Sequence, residues 1–139
     1  MRIPASGGGE TVQVTDNGGY RPLQSHDGST LYYIRPGLTA TVPLFARPAA
    51  GGPERQVLES VRWCYWVAGG GIYYFAASGE DGSLPLRYYD FDSGRIRLLT
   101  VVKEGRDVED LTASPDGKTV LFSNQSPWRV DLMLVENFR

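Results

Sequence analysis

The sequence predicts an all-β chain built as three consecutive blades of a β-propeller, each blade a sheet of four antiparallel strands. Three observations predict it: a composition rich in turn and strand formers, short strand-like runs separated by turn signals, and two landmarks that recur with one period. Among 139 residues there are 17 Gly, 9 Pro, 8 Tyr and 5 Phe, residue types that favour turns and pleated strands over helices. The longest stretch with helical spacing, residues 101–111, is broken by Gly105 and carries charges at no consistent period, so no helix is predicted.

The first landmark is a turn followed by an apolar run. Ser25-His26-Asp27-Gly28-Ser29-Thr30-Leu31-Tyr32-Tyr33 aligns with Ser114-Pro115-Asp116-Gly117-Lys118-Thr119-Val120-Leu121-Phe122, 89 residues further on. That distance is too long for one repeat and suits two. A middle copy belongs halfway, where Gly69-Gly70-Gly71-Ile72-Tyr73-Tyr74-Phe75 stands. The second landmark agrees: Arg47-Pro48-Ala49-Ala50-Gly51-Gly52 matches Ile3-Pro4-Ala5-Ser6-Gly7-Gly8 and, more weakly, Phe91-Asp92-Ser93-Gly94. Half of 89 gives a repeat of 44 to 45 residues, the length of a four-stranded blade.

Strands labelled a to d from the channel outward then follow. The innermost a strands are expected at 21–25, 62–68 and 109–114, and the b strands at 30–35, 72–77 and 119–123. The c strands are expected at 42–47, 86–91 and 130–136, and the d strands at 10–15, 55–59 and 96–101. The whole chain, 1–139, is thus a partial propeller of three repeats, at about 10–52, 53–95 and 96–139, with each d strand offset across a repeat boundary. In the a-to-b turn Asp accepts backbone hydrogen bonds and Gly supplies the positive φ that closes a hairpin. Gly69-Gly70-Gly71 lacks that Asp, which predicts a looser middle hairpin.

With a formal charge of -2 and 14 Lys and Arg scattered without a basic run, nothing attracts phosphate backbones, and nucleic acid is not an expected partner. No apolar run approaches the roughly 20 residues that span a bilayer, and the amino terminus shows no signal-peptide pattern. Cys64, the single cysteine, excludes an intrachain disulfide and leaves cytoplasm and periplasm equally open. Within Trp63-Cys64-Tyr65-Trp66 it reads as a small buried hydrophobe, with no basic neighbour to activate it.

No catalytic constellation emerges. His26, the only histidine, holds the place of Pro115 in a solvent-facing turn, and Ser25 and Asp27 are its neighbours only in sequence, whereas a Ser-His-Asp triad needs tertiary placement. One His and one Cys cannot build a zinc site unless carboxylates supply the rest. Gly69-Gly70-Gly71 lacks the Lys and helix of a phosphate-cradling loop. Glu104, Asp107, Glu109 and Asp110 form the densest acidic cluster, open to a cation or a basic partner, or simply a solvated loop. Of the aromatic runs, Trp63, Tyr65, Trp66, Tyr73, Tyr74, Tyr88 and Tyr89, alternation along strands sends most into packing between blades. The binding candidates are the residues at the entry to the innermost strands, on the channel mouth: Tyr20, Arg21, Arg62, Trp63, Glu109 and Asp110. No cofactor or metal is implied.

Ser114-Pro115-Asp116-Gly117-Lys118 with Thr119-Val120-Leu121-Phe122-Ser123 resembles the TolB-like, or WD-repeat-like, propeller repeats of bacteria, and the likeness extends over all three units. The ending Asp131-Leu132-Met133-Leu134-Val135-Glu136-Asn137-Phe138-Arg139 is similar to the carboxyl terminus of large bacterial proteins in which such a propeller follows a regulator or kinase domain. The resemblance implies a noncatalytic protein-interaction or ligand-sensing scaffold within a bacterial regulatory protein. Two alternatives remain: a propeller that gates a hydrolase or peptidase, and an excised or designed fragment whose only activity is self-assembly. The strand count also predicts a homodimer. A d strand with no blade before it and a last blade with no d strand after it would complete one another across two chains, giving six blades.

Overall fold

A computed structural model of the chain describes residues 8–68, 70–103, 108–126 and 129–136, and among them there is no helix. Eleven strands form three sheets. The first blade is β1 (Tyr20–Gln24), β2 (Thr30–Ile34), β3 (Thr41–Pro48) and β4 (Arg55–Arg62), hydrogen-bonded in chain order. The second is β5 (Tyr65–Ala68), β6 (Gly71–Phe75), β7 (Leu84–Asp90) and β8 (Ile96–Val102), in the same meander. The third has β9 (Leu111–Ala113), β10 (Thr119–Ser126) and β11 (Arg129–Glu136), with β10 in the middle. Every pairing is antiparallel. The fold is the all-β propeller arc that the repeat predicts.

Three local expectations are corrected. Residues 10–15 form no sheet strand and contribute one bridge residue, Val12. The second innermost strand starts at Tyr65 and not at Arg62, because β4 runs on to Arg62 through irregular pairing with β3. The middle hairpin is tighter and not looser: Ala68 pairs directly with Gly71, leaving room for a two-residue turn, which needs no Asp side chain to close it.

The other two a-to-b turns are built alike. Ser25 Oγ donates to Asp27 Oδ1 at 2.6 Å, and the Ser29 amide donates to the same oxygen at 3.0 Å. Ser114 Oγ and the Lys118 amide treat Asp116 Oδ1 in the same way, at 2.6 and 3.1 Å. The Ser25 hydroxyl, and then the Ser29 amide and hydroxyl, hold the Asp27 carboxyl down at about 2, while Ser114 and the Lys118 amide hold that of Asp116 below its ordinary range. Both carboxylates are structural acceptors. Gly28 and Gly117 sit at φ 72° and 69°, where a β-branched residue is strained. Gly28→Val and Gly117→Val should therefore each cost about 1 to 3 kcal/mol in chemical denaturation; wild-type midpoints for both variants would sink this account of the turns.

The core lies between blades. All five residues of β6 are buried, which is the pattern of a strand covered on both faces. Ile72 and Tyr74 meet Ile34, Leu44, Leu58 and Val61 of the first blade, whereas Tyr73 and Phe75 meet Leu111, Val120 and Phe122 of the third. Each such side chain contributes roughly 1.5 to 3 kcal/mol of burial. Cys64 belongs to the second cluster, 1% exposed, with its thiol donating to the Val108 carbonyl. Burial pushes that thiol up to about 12, so it is not a nucleophile at neutral pH.

Candidate binding site at the channel mouth

The links that lead into the innermost strands meet at one end of the arc. Tyr20 opens β1, Arg62 closes β4, Trp63 lies in the bend between β4 and β5, and Glu109 and Asp110 precede β9. Tyr20, Arg21, Arg62, Trp63, Val108 and Glu109 line an open cleft of about 410 Å³. Asp110 borders an adjoining recess of about 240 Å³ that shares Arg21 and is walled by Leu23, Cys64, Tyr65 and Trp66. All six residues singled out in the sequence thus lie around two clefts joined at Arg21. Glu104 and Asp107, of the acidic cluster, fall outside the described residues.

Arg21 is the centre of this arrangement. Its φ of 50° makes it the one non-glycine residue with positive φ among those described. The cause is an irregularity in β1, where Tyr20 pairs with Ile34 but Leu23 pairs with Tyr32, so two residues of β1 face one of β2. Pro22, within this bulge, has no amide to give to the ladder. A bulge at the end of a strand re-aims a side chain, and here the Tyr65 hydroxyl clamps it by donating to the Arg21 carbonyl at 2.5 Å. Burial raises the Tyr65 phenol, which keeps it a proton donor.

The Arg21 guanidinium reaches across to the third blade, with Nη1 3.8 Å from Asp110 Oδ1. Asp110 is 83% exposed in its side chain, so this pair is worth at most about 1 kcal/mol. The buried Nε of Arg21 has no hydrogen-bond partner. Aromatic surface flanks the cation: its Cζ lies 5.9 Å from the Tyr20 ring centroid, and Tyr20 meets Trp63 edge-on at 5.8 Å. Arg62 Nη1 donates to Ser78 Oγ at 2.7 Å, fixing the end of β4 to the loop beyond β6. The acidic link is held too, since the amides of Glu109 and Asp110 donate to Ser123 Oγ at 3.3 and 3.1 Å.

Sequence reasoning missed Tyr65 and Ser123 as supports of the cleft. Pro22 inside an innermost strand was the available signal for the bulge; nothing in the sequence marks Ser123. His26 is exposed in the first a-to-b turn, beside a separate groove of about 550 Å³ between the first two blades, together with Arg55, Tyr32 and Tyr89. Among the described residues no three His, Cys, Asp or Glu side chains converge.

No family model matches the chain, and no curated protein matches it by sequence. Solved structures do. A protein described as TolB from Agrobacterium tumefaciens aligns with a TM-score of 0.63 at 21% identity, over 81% of this chain and 40% of that one. An oligogalacturonate lyase in complex with manganese aligns with a TM-score of 0.67 at 17% identity, over 84% and 33%. The β-propeller domain of the Trilobed protease from Pyrococcus furiosus, described as having an open velcro topology, aligns at 0.60 and 11%, over 84% and 38%. The chain therefore spans two fifths or less of the length of the solved structures it matches. With three antiparallel sheets in a meander and these likenesses, the chain is folded as an arc of β-propeller blades similar to those of TolB.

Proposed function

We propose that this chain is a noncatalytic recognition module whose channel-mouth cleft receives a carboxylate-bearing segment of a protein or peptide partner. The observation that carries this reading is Arg21, a cation held in a left-handed bulge with an unpaired buried Nε. Strained backbone of this kind costs about 1 to 3 kcal/mol and concentrates at working sites. A ligand carboxylate would displace the weak Asp110 contact and supply the missing acceptor, since guanidinium and carboxylate pair in a fork. Tyr20 and Trp63 would hold an adjoining apolar side chain, and Glu109, exposed on the rim, would favour a neighbouring cation or amide. A second reading, an accessory propeller beside a hydrolase, draws on the protease propeller among its likenesses; a hydrolase domain in the same polypeptide would favour it.

Calorimetric titration tests the recognition reading with N-acetylated tripeptides ending in Phe, offered as free acid or as amide. The free acid should bind saturably and change the fluorescence of Trp63, the amide should bind at least tenfold more weakly, and Arg21→Gly should remove the difference. Stability supplies the control. Glycine suits φ 50°, so Arg21→Gly should be more stable than Arg21→Ala by about 1 kcal/mol. Equal binding of acid and amide, or binding untouched by Arg21→Gly, overturns the reading.

A further inference from the structure

The two four-stranded blades share one buried core and part at the end that carries the first a-to-b turn and Gly70, where the groove of about 550 Å³ opens. This is the end of β1 opposite to the mouth, since Tyr20 opens that strand and Ser25 follows its last residue. Across the first blade Tyr32 pairs with Ala46 and Ala46 with Arg55, one row on the face that meets the second blade. Across the second blade Val67 pairs with Ile72 and Ile72 with Tyr89. Ala46 and Ile72 are buried in the shared core, while Tyr32, Arg55, Val67 and Tyr89 line the groove.

The groove has an aromatic wall. The Tyr32 and Phe91 rings stack at 5.6 Å with planes 12° apart, and Phe91 meets Tyr89 edge-on at 6.1 Å. The Phe91 amide donates to the Gly70 carbonyl at 3.0 Å, which fixes this shelf without a ligand. The charges around it do not pair with one another. The Asp27 carboxylate is turned into its own hairpin, where Ser25 and Ser29 donate to it. Arg55, exposed at the start of β4, makes no hydrogen bond or ion pair among the described residues. The Tyr32 hydroxyl likewise makes no hydrogen bond among them. Burial raises that phenol, against the pull of Arg55, so it stays a proton donor. A guanidinium and a phenol beside flat apolar surface thus await an acceptor. Asp27 on the rim keeps its charge at neutral pH and opposes a second negative charge on whatever enters, so the groove suits a monoanion.

We propose that this groove is a second binding site, for a small aromatic carboxylic acid whose carboxylate meets Arg55 and the Tyr32 hydroxyl and whose ring lies on Tyr89 and Phe91. Its volume falls in the range of small-molecule sites, about 300 to 1,000 Å³. The site stands apart from the mouth, and its failure would leave that reading untouched.

Titration of phenylacetate into the nitrogen-labelled chain, followed by amide chemical shifts, tests the proposal. The acid should move the amides of Ser29, Gly70 and Phe91 saturably. Phenylacetamide, which lacks the charge, and acetate, which lacks the ring, should each bind at least about tenfold more weakly. Arg55→Gln, at an exposed position, should keep the β-rich circular dichroism spectrum and bind acid and amide alike. Equal binding of acid and amide by the wild-type chain overturns the proposal, as does acid binding that Arg55→Gln leaves unchanged. Acetate binding as tightly as phenylacetate refutes the aromatic shelf. Shifts confined to Tyr20, Trp63 and Glu109 would put the acid at the mouth and overturn the groove as its site, and the absence of saturable shifts overturns it outright.

Discussion

Replacing Gly71 with alanine should cost about 3 kcal/mol, at the upper end of what overpacking does in a well-filled core. A β-carbon built there would lie 2.3 Å from the Tyr89 carbonyl oxygen, 2.4 Å from Tyr88 Cζ and 2.5 Å from Tyr88 Oη. Those separations are well inside van der Waals contact, and the nearest atom belongs to the backbone of the paired strand, which cannot rotate aside. Gly71 pairs with Asp90 at the start of β6, and the Tyr88 ring lies over it, 4.7 Å from the Tyr73 ring. The absent side chain makes room for that ring, so alanine must push either the ring or the ladder. Urea denaturation of Gly71→Ala, Tyr88→Leu and the double variant separates the two. Shortening Tyr88 should recover part of the alanine loss, because the ring contacts vanish, but not all of it, because the Tyr89 carbonyl stays. Full additivity would mean that the ring and the glycine do not touch; a loss below 1 kcal/mol for Gly71→Ala would mean that the approach is not close.

Gly71 also shows where sequence reasoning worked and where it stopped. The Ser-x-Asp-Gly turns were legible because each encodes its own hydrogen bonds within five residues, and Asp27 and Asp116 make the same contacts in the structure. The blade order followed from the spacing of those turns. The middle hairpin was misread because the absence of Asp was taken as a loss, although a two-residue connection has no use for it. Residues 10–15 have the alternation of a strand, yet alternation says nothing about whether a partner edge is within reach, and here Val12 alone makes a bridge. At the mouth, the entry positions of the innermost strands located Tyr20, Arg21, Arg62, Trp63, Glu109 and Asp110 around joined clefts. What makes Arg21 unusual was not legible, since a left-handed residue in a bulge depends on the register between β1 and β2 and on a clamp from Tyr65, 44 residues away.

Phe75→Ala should be more damaging still, at about 3 to 5 kcal/mol. Phe75 is fully buried at the end of β6, where it pairs with Leu86 and meets the Phe122 ring of the third blade edge-on, with centroids 5.2 Å apart and planes at 71°. Truncation removes an aromatic contact between the second and third blades and opens a cavity that neighbouring strands, fixed by their ladders, cannot easily collapse to fill. The geometry is the favourable edge-to-face one, so Phe75→Leu, which retains volume, should cost less, and a double-mutant cycle between Phe75→Leu and Phe122→Leu should report a coupling of about 0.5 to 1.5 kcal/mol. The same contact bears on the mouth. Asp110 and Glu109 are tied to Ser123 on β10, next to Phe122, so loosening the third blade withdraws them from Arg21 on the first. Phe75→Ala should therefore lower the denaturation midpoint without weakening the binding of the free-acid tripeptide to the folded chain, because Asp110 is the contact that the ligand carboxylate displaces and Phe75 lines neither cleft. A stability loss below 2 kcal/mol would show that the site collapses around the deletion, and the two blades would then owe their alignment to the remaining cluster of Leu111, Val120 and Leu86.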